Sequence, residues 1–158
     1  VDIKSSNLYL KLHLSSLDSL MKWDTIQFFK KLAAFDQLNS KASEFSPSFY
    51  DDGMVQEIFQ IENGKQHGEF ISFYPNGQKM EKGNYTHGLK FGKWTKWSET
   101  GNILSETFYN IEGRKHGTWK VWDDNNNLKA LMVYNSGNRV GEWKIWDDNG
   151  NIAQEISY

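Results

Sequence analysis

The chain has 158 residues, with 18 basic against 20 acidic side chains and a formal charge of −2. That balance excludes a basic nucleic-acid footprint, since no basic run is longer than Arg114-Lys115. The lack of cysteine excludes disulfides, thiolate metal sites and a cysteine nucleophile. No apolar stretch approaches the roughly 20 residues that span a bilayer, so a soluble chain is expected, cytoplasmic or periplasmic.

At the amino terminus Leu8, Leu10, Leu12 and Leu14 alternate with Tyr9, Lys11 and His13, which predicts a short strand, although a helix beginning earlier also buries leucines. Ser15 or Ser16 can cap a helix over residues 16–40, in which Leu17, Leu20, Met21, Phe28, Leu32 and Phe35 fall near one face. That apolar face needs a partner. Residues 1–43 are therefore expected to cap the end of the structure that follows.

From residue 44 onward the chain repeats. A glycine followed by two aromatics three apart recurs as Gly68 to Phe73, Gly92 to Trp97, Gly117 to Trp122 and Gly141 to Trp146, at spacings of 24, 25 and 24. Tyr85, Tyr109, Tyr134 and Tyr158 keep the same spacings, so two ladders run in phase. Phe49, Tyr50, Gly53 and Ile61 fall in register one period earlier, marking a degenerate copy over 44–67 before full copies starting at 68, 92, 117 and 141.

Each copy reads as strand, turn, strand, loop. Pro75-Asn76-Gly77, Glu99-Thr100-Gly101, Asn125-Asn126-Asn127 and Asn149-Gly150-Asn151 supply the turns, because glycine and asparagine tolerate positive φ. The four repeat glycines are expected to open equivalent first strands. In the second strand Ile152, Gln154, Ile156 and Tyr158 share one face and Ala153, Glu155 and Ser157 the other. In the first strand, aromatics three apart, such as Trp143 and Trp146, fall on opposite faces unless a bulge realigns them.

Candidate chemistry is sparse. His67 and His116 hold equivalent loop positions two repeats apart, about 19 Å by strand spacing, with His87 in the loop between; His13 has no evident partner. Solvated loop residues are the expected reading. Asp51-Asp52, Asp123-Asp124 and Asp147-Asp148 precede turns; the last pair resembles a calcium loop but has Tyr158 where the bidentate glutamate belongs, so turn chemistry is expected. No nucleophile elbow or phosphate loop occurs, and Glu106 and Glu155 are expected on polar strand faces. No catalytic residue, metal site or cofactor is expected.

Six of the seven tryptophans sit in the repeat motif. One row is expected to pack. Trp97, Trp122 and Trp146 are the candidates for a partner-binding stripe, because the other member of each pair shares parity with Lys96, Val121 and Ile145. Tyr158 joins them as part of the last strand, Asn151 to Tyr158, whose edge invites pairing with another chain.

GlyGluTrpLysIleTrpAspAspAsnGlyAsnIle (141 to 152) and its copies, with AsnGlyLysGlnHisGly (63 to 68) and GlyArgLysHisGly (113 to 117), resemble the MORN repeat variant of bacterial proteins, including the YwqK-like antitoxin family. The resemblance implies a mainly β fold, an elongated antiparallel meander of repeated hairpins, here with an N-terminal helical cap, and brings no catalytic residue with it. It implies a non-enzymatic protein-binding module, in its most specific form an antitoxin or immunity protein whose sheet face or edge covers a toxin's cleft. A structural scaffold or assembly subunit is the alternative, membrane-proximal as in eukaryotic relatives, with Lys90, Lys93, Lys96, Arg114, Lys115 and Arg139 as a basic edge for lipid head groups. The acidic balance argues against strong lipid binding. The expected partner is a protein, or a second copy, met through the sheet face or the carboxy-terminal edge.

Overall fold

The computed structural model describes residues 44–158; the strand, helix and cap expected over 1–43 lie outside the described residues. The rest is one antiparallel sheet. Its strands are β1 (Glu44–Phe49), β2 (Val55–Glu62), β3 (Lys65–Phe73), β4 (Lys79–Thr86), β5 (Leu89–Trp97), β6 (Ile103–Tyr109), β7 (Gly117–Trp122), β8 (Leu128–Asn135), β9 (Asn138–Arg139), β10 (Glu142–Trp146) and β11 (Ile152–Ser157). Each strand lies beside its predecessor in sequence, except that the short β9 pairs only with β8, which also pairs with β10. This is a meander, as the hairpin pattern predicts.

Two kinds of turn build it. Within a repeat the chain reverses over five residues: at Tyr74–Gln78 the Gly77 amide donates to the Tyr74 carbonyl at 2.8 Å, and Gly77 has φ +77°. A left-handed residue closing such a turn is the usual three-residue hairpin geometry. Asn126, at φ +64°, fills the place that glycine holds in the other copies, which asparagine tolerates because its short side chain bonds locally. Between repeats, Asn63-Gly64, His87-Gly88 and Ser136-Gly137 have both residues at positive φ, the signature of the tight turns that match strand twist.

The expectation that the repeat glycines open the first strands holds only for Gly117. Gly68 and Gly92 lie inside β3 and β5, and Gly141 just precedes β10. All four have φ between +65° and +84°, so each bulges the chain at that point. The tight turn before the glycine carries the pairing past it in β3 and β5; elsewhere the same stretch is reduced to β9 or to the Tyr109–Lys115 bridge.

A second irregularity recurs in every hairpin. The register slips between Ser72 and Phe73, Lys96 and Trp97, Val121 and Trp122, and Ile145 and Trp146. The unpaired residue is on the second strand: Met80, Leu104, Lys129 or Ala153. Between its two aromatics the first strand therefore stays regular in each of these hairpins, and the second-strand bulge falls beside the outer aromatic. Burial follows the inner row: Phe70, Trp94, Trp119 and Trp143 are all under a tenth exposed. Trp119, Tyr134 and Trp143 form a core cluster, packed by Tyr109, Met132 and Ile156. In the first hairpins Ile58, Ile71 and Phe73 are buried as well.

Candidate binding face

The inner tryptophans and the repeat tyrosines interleave across the strands into a ring ladder. Tyr85 lies 5.0 Å from Trp94, Tyr109 5.3 Å from Trp119, Trp119 5.1 Å from Tyr134, and Trp143 5.0 Å from both Tyr134 and Tyr158. The angles between rings run from 56° to 79°, the tilted and edge-to-face arrangements that the ring quadrupole favours. Each buried indole is satisfied in the same way. Trp94 Nε1 donates to the Asn84 carbonyl at 3.2 Å, Trp119 to Phe108 at 2.9 Å and Trp143 to Val133 at 2.9 Å. Burial raises the Tyr85 and Tyr109 phenols above their ordinary range, and Glu81 adds to the effect.

In each of the last three copies one cation lies on this ladder. Lys90 Nζ is 3.7 Å from the Trp94 ring centre, Lys115 Nζ 4.5 Å from Trp119 and 5.0 Å from Tyr134, and the Arg139 guanidinium 5.0 Å from Trp143 and 5.5 Å from Tyr158. These are cation–π distances. The sequence reading takes these residues as a basic edge and misses the ring contact. Their period was the available signal, because Lys90, Lys115 and Arg139 stand 25 and 24 apart, the spacing of Trp94, Trp119 and Trp143.

An open, shallow groove runs over the middle of the ladder. Trp119, Val121 and Met132 line it together with Lys96 and Lys115, and Trp122 and Leu104 stand at its turn end. Of the predicted stripe, Trp97, Trp122 and Trp146 are half-buried at the ends of their strands, and only Trp122 borders the groove. Trp97 lies under Lys79, at 5.9 Å, and its carbonyl accepts from the Tyr74 hydroxyl at 2.8 Å. Tyr158 is 48% exposed, and its hydroxyl accepts from Arg139 at 2.9 Å.

The paired acids are turn formers. Asp123 Oδ1 accepts from the Asn125 and Asn127 amides at 3.0 and 2.9 Å, and Asp147 Oδ1 from Asn149 and Asn151, both at 2.9 Å. The amides of Asn127 and Asn151 are the main cause holding the two carboxyls below their ordinary value of 3.8. Lys129 joins the two turns, with Nζ 2.9 Å from the Asp147 carbonyl, 2.7 Å from Asp148 and 3.9 Å from Asp123 Oδ2. Among the described residues no group of three His, Asp or Glu side chains can hold a metal. His67 and His87 stand nearer each other than the two-repeat spacing of His67 and His116, with ring centres 5.0 Å apart across adjacent turns.

The depressed carboxyls set an acid response. Below 3.8 the unfolded chain binds protons that folded Asp123 and Asp147 resist, so their contribution is present above that pH and is lost as pH falls through their folded values. Replacing both by asparagine should flatten the dependence of melting temperature on pH below about 4. An unchanged acid slope in the double variant excludes these turns as its source.

The MORN repeat variant profile matches residues 66–87, 92–110, 115–136 and 139–158, just over half of the chain. No curated protein matches it. Among solved structures the chain is similar to a mutant of S. aureus TarM in complex with Fondaparinux, alpha-GlcNAc-glycerol and UDP, at 10% identity and a TM-score of 0.39 over 84% of this chain and 26% of that one. The chain thus spans about a quarter of that protein's length. A likeness so slight carries neither fold nor function. Among the described residues no helix is long and apolar enough to cross a membrane.

Proposed function

The chain belongs to the MORN repeat variant family, whose repeats serve in general as protein- and membrane-binding modules, and we propose that it is a non-enzymatic protein-binding module. The observation that carries this reading is a single sheet whose turn ends and last strand leave apolar side chains in reach of solvent. Ile103, Ile145, Ile152 and Tyr158 are 36 to 51% exposed, and Trp97, Trp122 and Trp146 are half-buried. Large, half-covered aromatics with few rotatable bonds are the side chains that anchor protein interfaces.

In its most specific form the module is an antitoxin or immunity protein that occludes a toxin's cleft, with the aromatic row as anchor and surrounding charges setting orientation. The test begins with the partner recovered from the native source and compares it against Trp122→Ala and Trp146→Ala. An anchoring tryptophan should cost about 2 kcal/mol or more of affinity, with stability changed by under about 1 kcal/mol. An antitoxin's partner should also be an enzyme that the intact chain inhibits. If both variants melt early and bind no worse once folded, the row is packing and the interface lies elsewhere.

A further inference from the structure

The cations of the described sheet fall into two groups. Lys82 pairs with Glu69, Lys93 with Glu106, and Lys144 with Glu155 at 2.8 Å. Strand alternation puts these on the face away from the ring ladder, since Lys93 and Lys144 adjoin Trp94 and Trp143 in sequence. On the ladder face, Lys90 reaches Glu81 at 2.8 Å. Lys115 and Arg139 have no carboxylate within ion-pair distance among the described residues, and both are exposed. Each rests on a tryptophan and a tyrosine. Lys120 aside, the cations named on one face are neutralised there, whereas the other face presents positive charge on an aromatic floor.

We propose that the ladder face binds an extended acidic peptide segment of a partner, in the polyproline II conformation, lying across the strands with a carboxylate at every third residue. The inference rests on the protein-binding reading above and supplies the chemistry of the partner. Charge complementarity fixes the sign of the ligand. The period fixes its conformation: equivalent cations are two strands apart, about 9.6 Å, and three residues of polyproline II advance about 9.3 Å with side chains on one side. A β-strand presents same-side residues about 6.7 Å apart and falls out of step at once. A helix with an acid at every seventh residue advances about 10.5 Å and is stiff, whereas the sheet turns by roughly 20° per strand. A polyproline II chain has no internal hydrogen bonds to break in following that twist. Its flat, apolar proline surfaces also suit Trp119, Val121 and Met132, in the manner of aromatic-lined grooves that take proline-rich ligands.

The test uses the full chain and synthetic peptides of repeated Glu-Pro-Pro and Gln-Pro-Pro, with binding read by calorimetry. The acidic peptide should bind at least about tenfold more tightly. Lys115→Gln combined with Arg139→Gln should remove that preference, while Lys93→Gln on the other face keeps it. Because the double variant also loses ring contacts, a readout on the unaltered chain stands beside it: raising ionic strength from about 0.01 to 1 M shortens the screening length from about 30 to 3 Å and should abolish the preference. Equal binding of the two peptides overturns the proposal. So does tighter binding of a helical peptide with glutamate at every seventh residue, or of phosphatidylserine vesicles. A protein partner held through Trp122 and Trp146 that contacts neither Lys115 nor Arg139 leaves the protein-binding reading standing and overturns this one.

Discussion

Trp94→Ala should be among the most damaging single changes in the sheet, at about 3–5 kcal/mol. Trp94 is 1% exposed, stacks at 5.4 Å on Phe70, meets Tyr85 edge-on, and carries Lys90 on its ring. The loss combines transfer of a large apolar surface with a cavity that flat neighbouring strands cannot close. In a unit of this size the melting temperature should fall on the order of 15 °C. Trp94→Phe separates the terms, because it keeps a ring but leaves the Asn84 carbonyl without its donor, at about 1–3 kcal/mol. A Trp94→Ala loss below about 1 kcal/mol means that the ladder repacks around the gap and is not the core of the sheet.

The second large effect is expected at Gly83, which lies in β4 opposite Phe70. A Cβ there meets the Trp94 ring at 2.2 and 2.3 Å, distances that no side-chain atoms adopt. Thr107, Met132 and Ile156 hold the equivalent place in the later copies, so the position needs glycine only where the indole lies flat against it. That is also where Phe70 and Trp94 are nearly parallel, at 29°. Gly83→Ala should cost about 1–3 kcal/mol through overpacking. Combining it with Trp94→Phe should recover part of that loss, because the two positions touch and their effects do not add. A neutral Gly83→Ala, or strictly additive losses, shows that the ring shifts freely.

The hairpin order was legible because two independent signals coincide: aromatics at a fixed period and turn residues between them. Asn126 was legible as a turn residue for the same reason. The strand starts were not, since a glycine before an aromatic reads equally as a strand opening or as a bulge inside a longer strand. What distinguishes these is not φ, which is positive at all four glycines, but whether a tight turn such as His87-Gly88 carries pairing past the glycine. For the candidate face, the tryptophan period gave the rows, and strand parity with Lys96, Val121 and Ile145 named Trp94, Trp119 and Trp143 as the deeper members. Lys115 and Arg139 were visible as basic residues. Their seat on the rings depends on cross-strand neighbours that periodicity alone does not reveal.

The 25-residue spacing between Gly92 and Gly117 has a location in the structure. Where the other copies reverse through two residues, this one uses Asn110–Arg114, with Asn110 Oδ1 accepting from the Glu112 and Arg114 amides at 3.1 and 2.9 Å. The additional residue is therefore absorbed in a loop before pairing resumes. In a sheet whose register was counted continuously along the chain, one inserted residue would turn every later side chain to the wrong face. Here each hairpin resets its own count. Copying errors during gene duplication that add or drop a residue between units are thus confined to the loop where they occur, and such an array can lengthen by whole units while its rows of tryptophan and tyrosine stay aligned.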